Sequence, residues 1–379
     1  MSKRNKIIWC TTAVLAVLTL VLAEILVWKK GKESVETQSK IPAKTQQETE
    51  EEIEESKKEP EAKEETKKAS LIFTGDVLLS DYVLNNYNST GIEGVLDEEM
   101  LKALKEADVT VINQEFPFST RGQQAPDKQF TFRVNPSYVS VLKEMGVDMA
   151  TIANNHVLDF GDEALLDTMD TLEQAGILYA GAGENMERAS QLQVIEASGL
   201  RVGMLAASRV IPVASWNIEN HQPGVFCTYD PTLLVREIEK AKEECDYLFV
   251  YVHWGIERNT TPEDYQKNMA RQYIDAGADA VIGSHPHVLQ GIEFYQEKPI
   301  FYSLGNFIFN QDIEKTMTVQ LEAEEGKTTS VRILPASASG AKTSLSDGAK
   351  AQQLYRHLEE ISDGISIDEE GIVSKIVEQ

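Results

Sequence analysis

A repeating alternation that begins at Ala69 restricts the fold more than any other feature of the chain. Short apolar runs alternate with amphipathic stretches of helical period. "LDEEMLKALKEAD" leads to "VTVIN", "SYVSVLKEMG" to "VDMATIA", and "EALLDTMDTLEQAG" to "ILYAGAG". Further on, "VREIEKAKEEC" leads to "DYLFVYVHWG", and "YQKNMARQYIDAG" to "ADAVIGS". Strands separated by helices of this length form βαβ units, so the pattern predicts an α/β domain with a largely parallel or mixed sheet. The runs "QVIEAS", "RVGMLAAS", "KPIFYSLGNF", "TMTVQLEA" and "SVRILPA" have no helices between them and read as antiparallel additions. Ala336 to Lys350 is small and polar and is expected to be a loop, with one helix, "KAQQLYRHLEEIS", behind it. The expected division is a main domain over 69–335, then a loop and C-terminal helix over 336–379.

The segment before Ala69 has a different character. Lys3, Arg4 and Lys6 precede an apolar run from Ile7 to Trp28, closed by Lys29, Lys30 and Lys32. That run has the ~20 residues a helix needs to cross hydrocarbon. Trp9 and Trp28 mark its two ends, as an aromatic belt would. It lacks the A-x-A-like site and short apolar core of a signal peptide, although a cleaved signal is the competing reading. The expectation is a cytoplasmic tail over 1–6, a transmembrane helix over 7–28 in a single pass through the cell membrane, and an extracellular main domain. Residues 29–68, with blocks such as "ETEEEIEESKKEPEAKEETKK", hold too few apolar residues to offset ordering entropy and read as a disordered acidic linker. The net charge of −25 argues against a nucleic-acid partner, because phosphate contacts need clustered Lys and Arg. Cys10, Cys227 and Cys245 form no disulfide framework, leaving a single Cys227–Cys245 bridge open.

In open α/β sheets, ligands collect beyond the carboxyl ends of the strands. Asp76 follows "LIFT", Glu115 follows "VTVIN", and Asn155, His156 and Asp159 follow "MATIA". His253 closes "LFVYV", His285 and His287 follow "DAVIG", and Asn306 follows "PIFYS". Four of the six histidines therefore stand at strand ends; only His221 and His357 do not. A lone histidine there is ordinarily a hydrogen-bonded surface residue. Four of them joined by carboxylates and an amide form the nitrogen-and-oxygen donor set that Zn²⁺, Mn²⁺ or Fe accepts. In "SHPH", Pro286 biases His285 toward extended backbone, where residues i and i+2 face the same way. Both rings are then expected to reach one metal cluster, with Gly283 allowing close backbone approach. No G-x-S-x-G is present, and "GAGEN" lacks the context of a phosphate-binding loop.

The ordered motifs "FTGDVLLS", "INQEFPFS", "ATIANNHVLDFG", "VYVHWGIE", "GADAVIGSHPHVLQGIEFY" and "IFYSLGNFIF" resemble those of the CapA-type capsule-synthesis family, associated with poly-γ-glutamate, over about Ser70 to Asn310. The resemblance implies a calcineurin-like metallophosphoesterase fold, a mixed-sheet αββα sandwich with divalent metal, one ion or two, at the strand ends. It implies Asp76, Glu115, Asn155, His253, His285 and His287 as metal ligands, Glu115 in the bridging position. It also implies His156 as a non-ligand that stabilises a substrate oxygen. Asp159 is expected to orient His156. One departure stands out: the phosphoesterase D-x-H is Asp76–Val77–Leu78 here. The resulting expectation is a membrane-anchored protein of capsule or poly-γ-glutamate synthesis or export with a metal-dependent hydrolase site. The alternative is a non-catalytic assembly subunit of a membrane polymer synthase, its metal site structural or vestigial.

Overall fold

The computed structural model describes residues 67–376. The expected anchor over 7–28 and nearly all of the expected linker lie outside these residues. Among the described residues no helix is long and apolar enough to cross a membrane.

Strands β1 (Ala69–Val77), β2 (Val109–Gln114), β3 (Met149–Thr151) and β4 (Leu178–Ala180) come first, followed by the short β5 (Ala182–Gly183). The middle of the chain supplies β6 (Gln193–Ala197), β7 (Leu200–Ser208), the short β8 (Gly224–Val225), β9 (Tyr247–His253) and β10 (Ala280–Ser284). Then come β11 (Ile292–Tyr295), β12 (Lys298–Phe301), β13 (Asn306–Ile308), β14 (Ile313–Glu324) and β15 (Lys327–Ser339). β16 (Lys342–Leu345), β17 (Ile365–Ile367) and β18 (Val373–Lys375) are last. An eight-stranded sheet has the order β16-β15-β14-β1-β2-β3-β4, with β13 beside the end of β1; a six-stranded sheet has the order β11-β12-β10-β9-β7-β6. β1 to β4 are mutually parallel, as are β7, β9, β10 and β12. β14, β15, β16, β6 and β11 are the antiparallel additions.

The sequence of β9 shows how the layers form. Tyr247, Phe249 and Tyr251 join one apolar cluster together with Phe73 of β1. Leu248, Val250 and Val252 join a second, together with Leu234 and Ile238 of helix Thr232–Ala241 and Met269 and Ile274 of helix Asp264–Ala276. Successive side chains of a strand point to opposite faces. The odd residues therefore meet the other sheet and the even ones meet helices. Phe73 and Phe249 pack edge to face at 4.8 Å between centroids, and the Tyr251 hydroxyl donates to the Thr74 carbonyl at 2.7 Å. Helices Glu98–Glu106, Val139–Met145 and Asp162–Ala175 cover the larger sheet with Met100, Leu104, Leu142, Met145, Leu165 and Leu172. The result is the expected mixed-sheet αββα sandwich, an α/β fold. His253 continues the odd parity of β9 and is thereby directed between the sheets at their carboxyl edge.

One expectation about the chain after Ala336 is corrected. Ala336 to Ser339 continue β15, and Lys342 to Leu345 return as β16, so the predicted loop is an edge hairpin. Gly340 and Ala341 both take positive φ (62° and 60°) in a two-residue turn, the conformation that suits the twist of a hairpin. Apart from Lys342 and Leu345 the strand residues are Ala, Ser and Thr, whose small size hides a strand from a hydropathy reading. Helix Gly348–Glu360 follows as expected. Cys227 and Cys245 are both free and buried, which closes the question of a bridge between them.

Candidate metal centre

The site is assembled at the carboxyl ends of β1, β2, β3, β9 and β10. At β1, Asp76 donates its backbone N–H to the Gly305 carbonyl at 2.9 Å and pairs in register with Asn306. That approach needs Gly75, since a Cβ there would overlap the Gly305 carbonyl. Gly283 has the same role at β10, where a Cβ would overlap the Tyr302 carbonyl.

Two donor groups result. Glu115, His253 and His285 bring ligand atoms within 4.8 Å of one another, and so do Asp76, Glu115 and His287. Glu115 belongs to both, as a bridging carboxylate would. It is fully buried, and neither of its oxygens has a hydrogen-bond partner. Its nearest imidazoles stand off at 3.6 Å (His253 Nε2) and 3.9 Å (His287 Nδ1), too far for good hydrogen bonds. A doubly orphaned buried carboxylate costs several kcal/mol unless a cation compensates it, and so the donor set fits a divalent metal. Asn155 Oδ1 lies 2.8 Å from His253 Nε2, giving the first group a fourth oxygen or nitrogen donor. The second group has no histidine from β1, because Leu78 is turned into the core and fully buried.

Neighbouring polar groups orient these side chains. Ser284 Oγ at 3.1 Å and Asn113 Nδ2 at 3.3 Å hold His253 Nδ1, leaving Nε2 for the centre. Asn113 also donates to Asp76 Oδ1 at 2.7 Å. Asn306 Oδ1 meets His287 Nδ1 at 2.8 Å, and Asp76 Oδ2 meets the same nitrogen at 3.1 Å. Asn154 ties the loop to β2 by donating to the Gln114 carbonyl at 2.8 Å, and accepts from His156 N–H at 3.0 Å. Such supports fix the orientation of ligands that would otherwise rotate.

The route by which both histidines of "SHPH" reach the site differs from the extended loop expected. His285 and His287 have φ of 98° and 58°, in the region that disfavours side chains. The chain reverses here to enter β11, and two positive-φ residues keep both rings on the inner side, 5.8 Å apart between centroids. Proline's influence on His285 is overridden by this closure.

Burial and charge set the protonation pattern. Burial, with Asp76 beside it, raises the Glu115 carboxyl well above its ordinary range. Burial would lower His287, but Glu115 and Asp76 outweigh it and lift the imidazole to about 10. Burial, reinforced by His287, lowers His285 to about 3. His253 is likewise driven well down by burial and the other imidazoles.

His156 sits outside both donor groups. Its Nδ1 meets Asp159 Oδ2 at 2.8 Å, and its ring packs on Phe132 at 4.5 Å between centroids. Lys128 was not among the residues expected from sequence. Its ammonium bonds the Asn155 carbonyl and Asp159 Oδ1, and reaches His156 Nδ1 at 2.9 Å. No sequence pattern marked it, because it lies in an irregular loop far from any strand end. Its ammonium is partly desolvated, and burial lowers its proton affinity despite Asp159. His156 and His287 line one open cleft, with Phe130, Phe132 and Phe309 on its walls. Every residue expected at the site is therefore in one place: six around the two donor groups, His156 and Asp159 beside them.

Comparison with known proteins gives the chain a family. Residues 70–311 match the family model described as "Bacterial capsule synthesis protein PGA_cap". The chain belongs to that family. It is 30% identical over 303 residues to "Capsule biosynthesis protein CapA" of Bacillus anthracis, covering 77% of this chain and 73% of that one. It is 32% identical over 251 residues to "PGA biosynthesis protein CapA" of Bacillus subtilis (strain 168), covering 65% of each. A "probable polyglutamine synthesis accessory protein" of Mycobacterium tuberculosis (strain CDC 1551 / Oshkosh) is 28% identical over 277 residues, covering 67% of this chain and 72% of the relative. The matched PGA_cap region starts in β1 and ends just after β13, so it contains every strand end that contributes to the centre.

Proposed function

We propose that this PGA_cap protein acts at the outer face of the cell membrane in the synthesis or export of a poly-γ-glutamate capsule polymer, through a divalent-metal centre that hydrolyses an ester or amide bond. The observation that carries the metal reading is Glu115, buried, shared by two donor groups and without a hydrogen bond. The polymer reading rests on the names of the Bacillus relatives, and the membrane placement on the apolar run Ile7–Trp28.

Asp76, Glu115 and His287 would hold one ion, and Glu115, Asn155, His253 and His285 the other. Bound divalent ions, Mn, Zn or Fe, supply a Lewis acid and a bound water of lowered pKa. The protein's own contribution lies in His156. Asp159 fixes the ring through Nδ1, which leaves Nε2 to the cleft. Burial lowers its pKa, so the ring is neutral at pH 7. With its proton on Nδ1 it offers a bare Nε2 as base; with Lys128 donating to Nδ1 it offers Nε2–H to a substrate oxygen. Phe132 and the aromatic wall limit water around that ring.

The test combines chemistry and physiology. Full-length protein with Mn²⁺ or Zn²⁺ is assayed on a phosphate ester and on γ-linked glutamate oligomers, and cells carrying Asp76→Ala/His287→Ala are scored for polymer. Turnover in vitro and loss of polymer are expected. Normal polymer from the double variant, with no turnover in vitro, refutes the catalytic reading. Leu78 favours a second reading, since it stands where a phosphoesterase would place a histidine ligand. In it the protein is an assembly subunit of a membrane synthase, and the centre retains metal for structure alone.

A further inference from the structure

The cleft does not end at the metal centre. His287, Asn306 and Gln311 are shared by two adjoining open depressions. One arm carries the aromatic wall and Arg258; the other carries Lys315 and His357. A site for a small molecule is typically a single enclosed pocket that buries most of its ligand. Here His287, a member of the second donor group, lies at the junction of two open arms, which suits a chain passing across it.

Arg258 is placed with unusual care for an exposed side chain. Its backbone has φ of 62°, and its N–H donates to the carbonyl of Pro286 at 2.8 Å. Pro286 stands between the two histidines of the centre, so the position of Arg258 is tied to that loop. A positive φ at a residue other than glycine costs free energy, and surrounding structure must hold it there. Among the described residues Arg258 makes no ion pair or side-chain hydrogen bond, although Glu257 precedes it; nor does Lys315, although Asp312 and Glu314 line its arm. Asp312 is engaged with the Gly340 N–H at 2.8 Å. In a protein with 61 acidic against 36 basic residues, each arm thus presents one cation free to meet a carboxylate. Arginine offers a planar fork suited to carboxylate. The exposed ring of Phe130, 61% accessible, faces solvent in the same arm and offers apolar surface to a methylene backbone.

We propose that the two arms hold an acidic chain on both sides of the metal centre, with Arg258 and Lys315 each receiving a carboxylate, so that the protein engages internal positions of the polymer rather than its end. This rests on the polymer reading above and does not require that the centre cleave the chain.

Binding of γ-linked glutamate oligomers of defined length to Mn²⁺-loaded full-length protein provides the test, read by calorimetry or fluorescence anisotropy. Affinity is expected to rise with length until both arms are filled, then level off. Arg258→Gln and Lys315→Gln, each melting like the wild type, should weaken a long oligomer by about tenfold apiece, the scale of one charged hydrogen bond. A dimer, too short for both arms, should respond to at most one of them. Arg258→Lys should recover part of the loss. Length-independent binding, or unchanged affinity in both variants, overturns the proposal. If oligomers bind this way while Asp76→Ala/His287→Ala makes normal polymer, the catalytic reading falls and this one stands.

Discussion

At the residue scale, Glu115 concentrates the physics of the centre. Its two oxygens are buried without partners, and Asp76 and His287 flank it. Glu115→Gln is expected to remove both metals, because it weakens the shared ligand of both groups, whereas His285→Ala should leave about one per chain; elemental analysis of purified variants distinguishes these outcomes. Protonation provides a second check. His287 is lifted to about 10 in the metal-free protein, so near pH 7 to 8 its ring carries a proton. A metal ligand must be neutral. Metal binding should therefore release about one proton from this residue, and affinity should fall as pH falls; the release should fade as pH rises toward 10. Calorimetry in buffers of different ionisation enthalpy measures it, and a proton count of zero would contradict the His287 assignment. Lys128 acts on the chemistry through His156 and Asp159. Lys128→Met should leave metal content intact yet shift the pH profile of any turnover, because it withdraws one donor from His156 Nδ1.

At the element scale, the decisive feature is how closely strand ends approach the loops around them. At the site, Gly75 and Gly283 are points where the backbone of another segment occupies the space a side chain would need. Gly75→Ala and Gly283→Ala should each destabilise the protein by about 1–3 kcal/mol, the usual cost of overpacking, and lower metal affinity by displacing Asp76 or the "SHPH" loop. Denaturant melts of the metal-free and loaded proteins separate the two effects. The same scale explains two divergences from sequence reasoning. The turn carrying His285 and His287 is governed by the need to enter β11, which outweighs a local bias from Pro286. The hairpin β15–β16 gains its stability from ladder pairing and the Gly340–Ala341 turn, while its small residues carry little hydropathy signal.

At the scale of the whole molecule, two sheets share one core, and the site sits on their common edge. Because the candidate ligands come from both sheets, a bound metal would link them. Removing metal with a chelator should lower the melting temperature, by an amount that grows with the metal concentration of the reference state, as mass action requires. Ligands confined to one sheet would give little coupling between the two. The interior thiols are inert in this architecture. Burial pushes Cys227 up to about 12 and Cys245 up to about 11. Neither should react with an alkylating reagent at pH 8 in the native protein, and both should react on unfolding; peptide mapping reads each site separately from Cys10.

The sequence by itself determined the α/β alternation, the buried strands and the residues at their ends, because period and composition are local properties of the chain. It also determined the donor chemistry, since four of six histidines stand at strand ends. Tertiary structure brought Glu115 into both donor groups, the bridging position the family resemblance implies, and it alone decided that Lys128 reaches His156 from a distant loop and that Leu78 points into the core. Those are distances between segments far apart in the chain. They depend on how two sheets close over one core, and no local pattern encodes that closure.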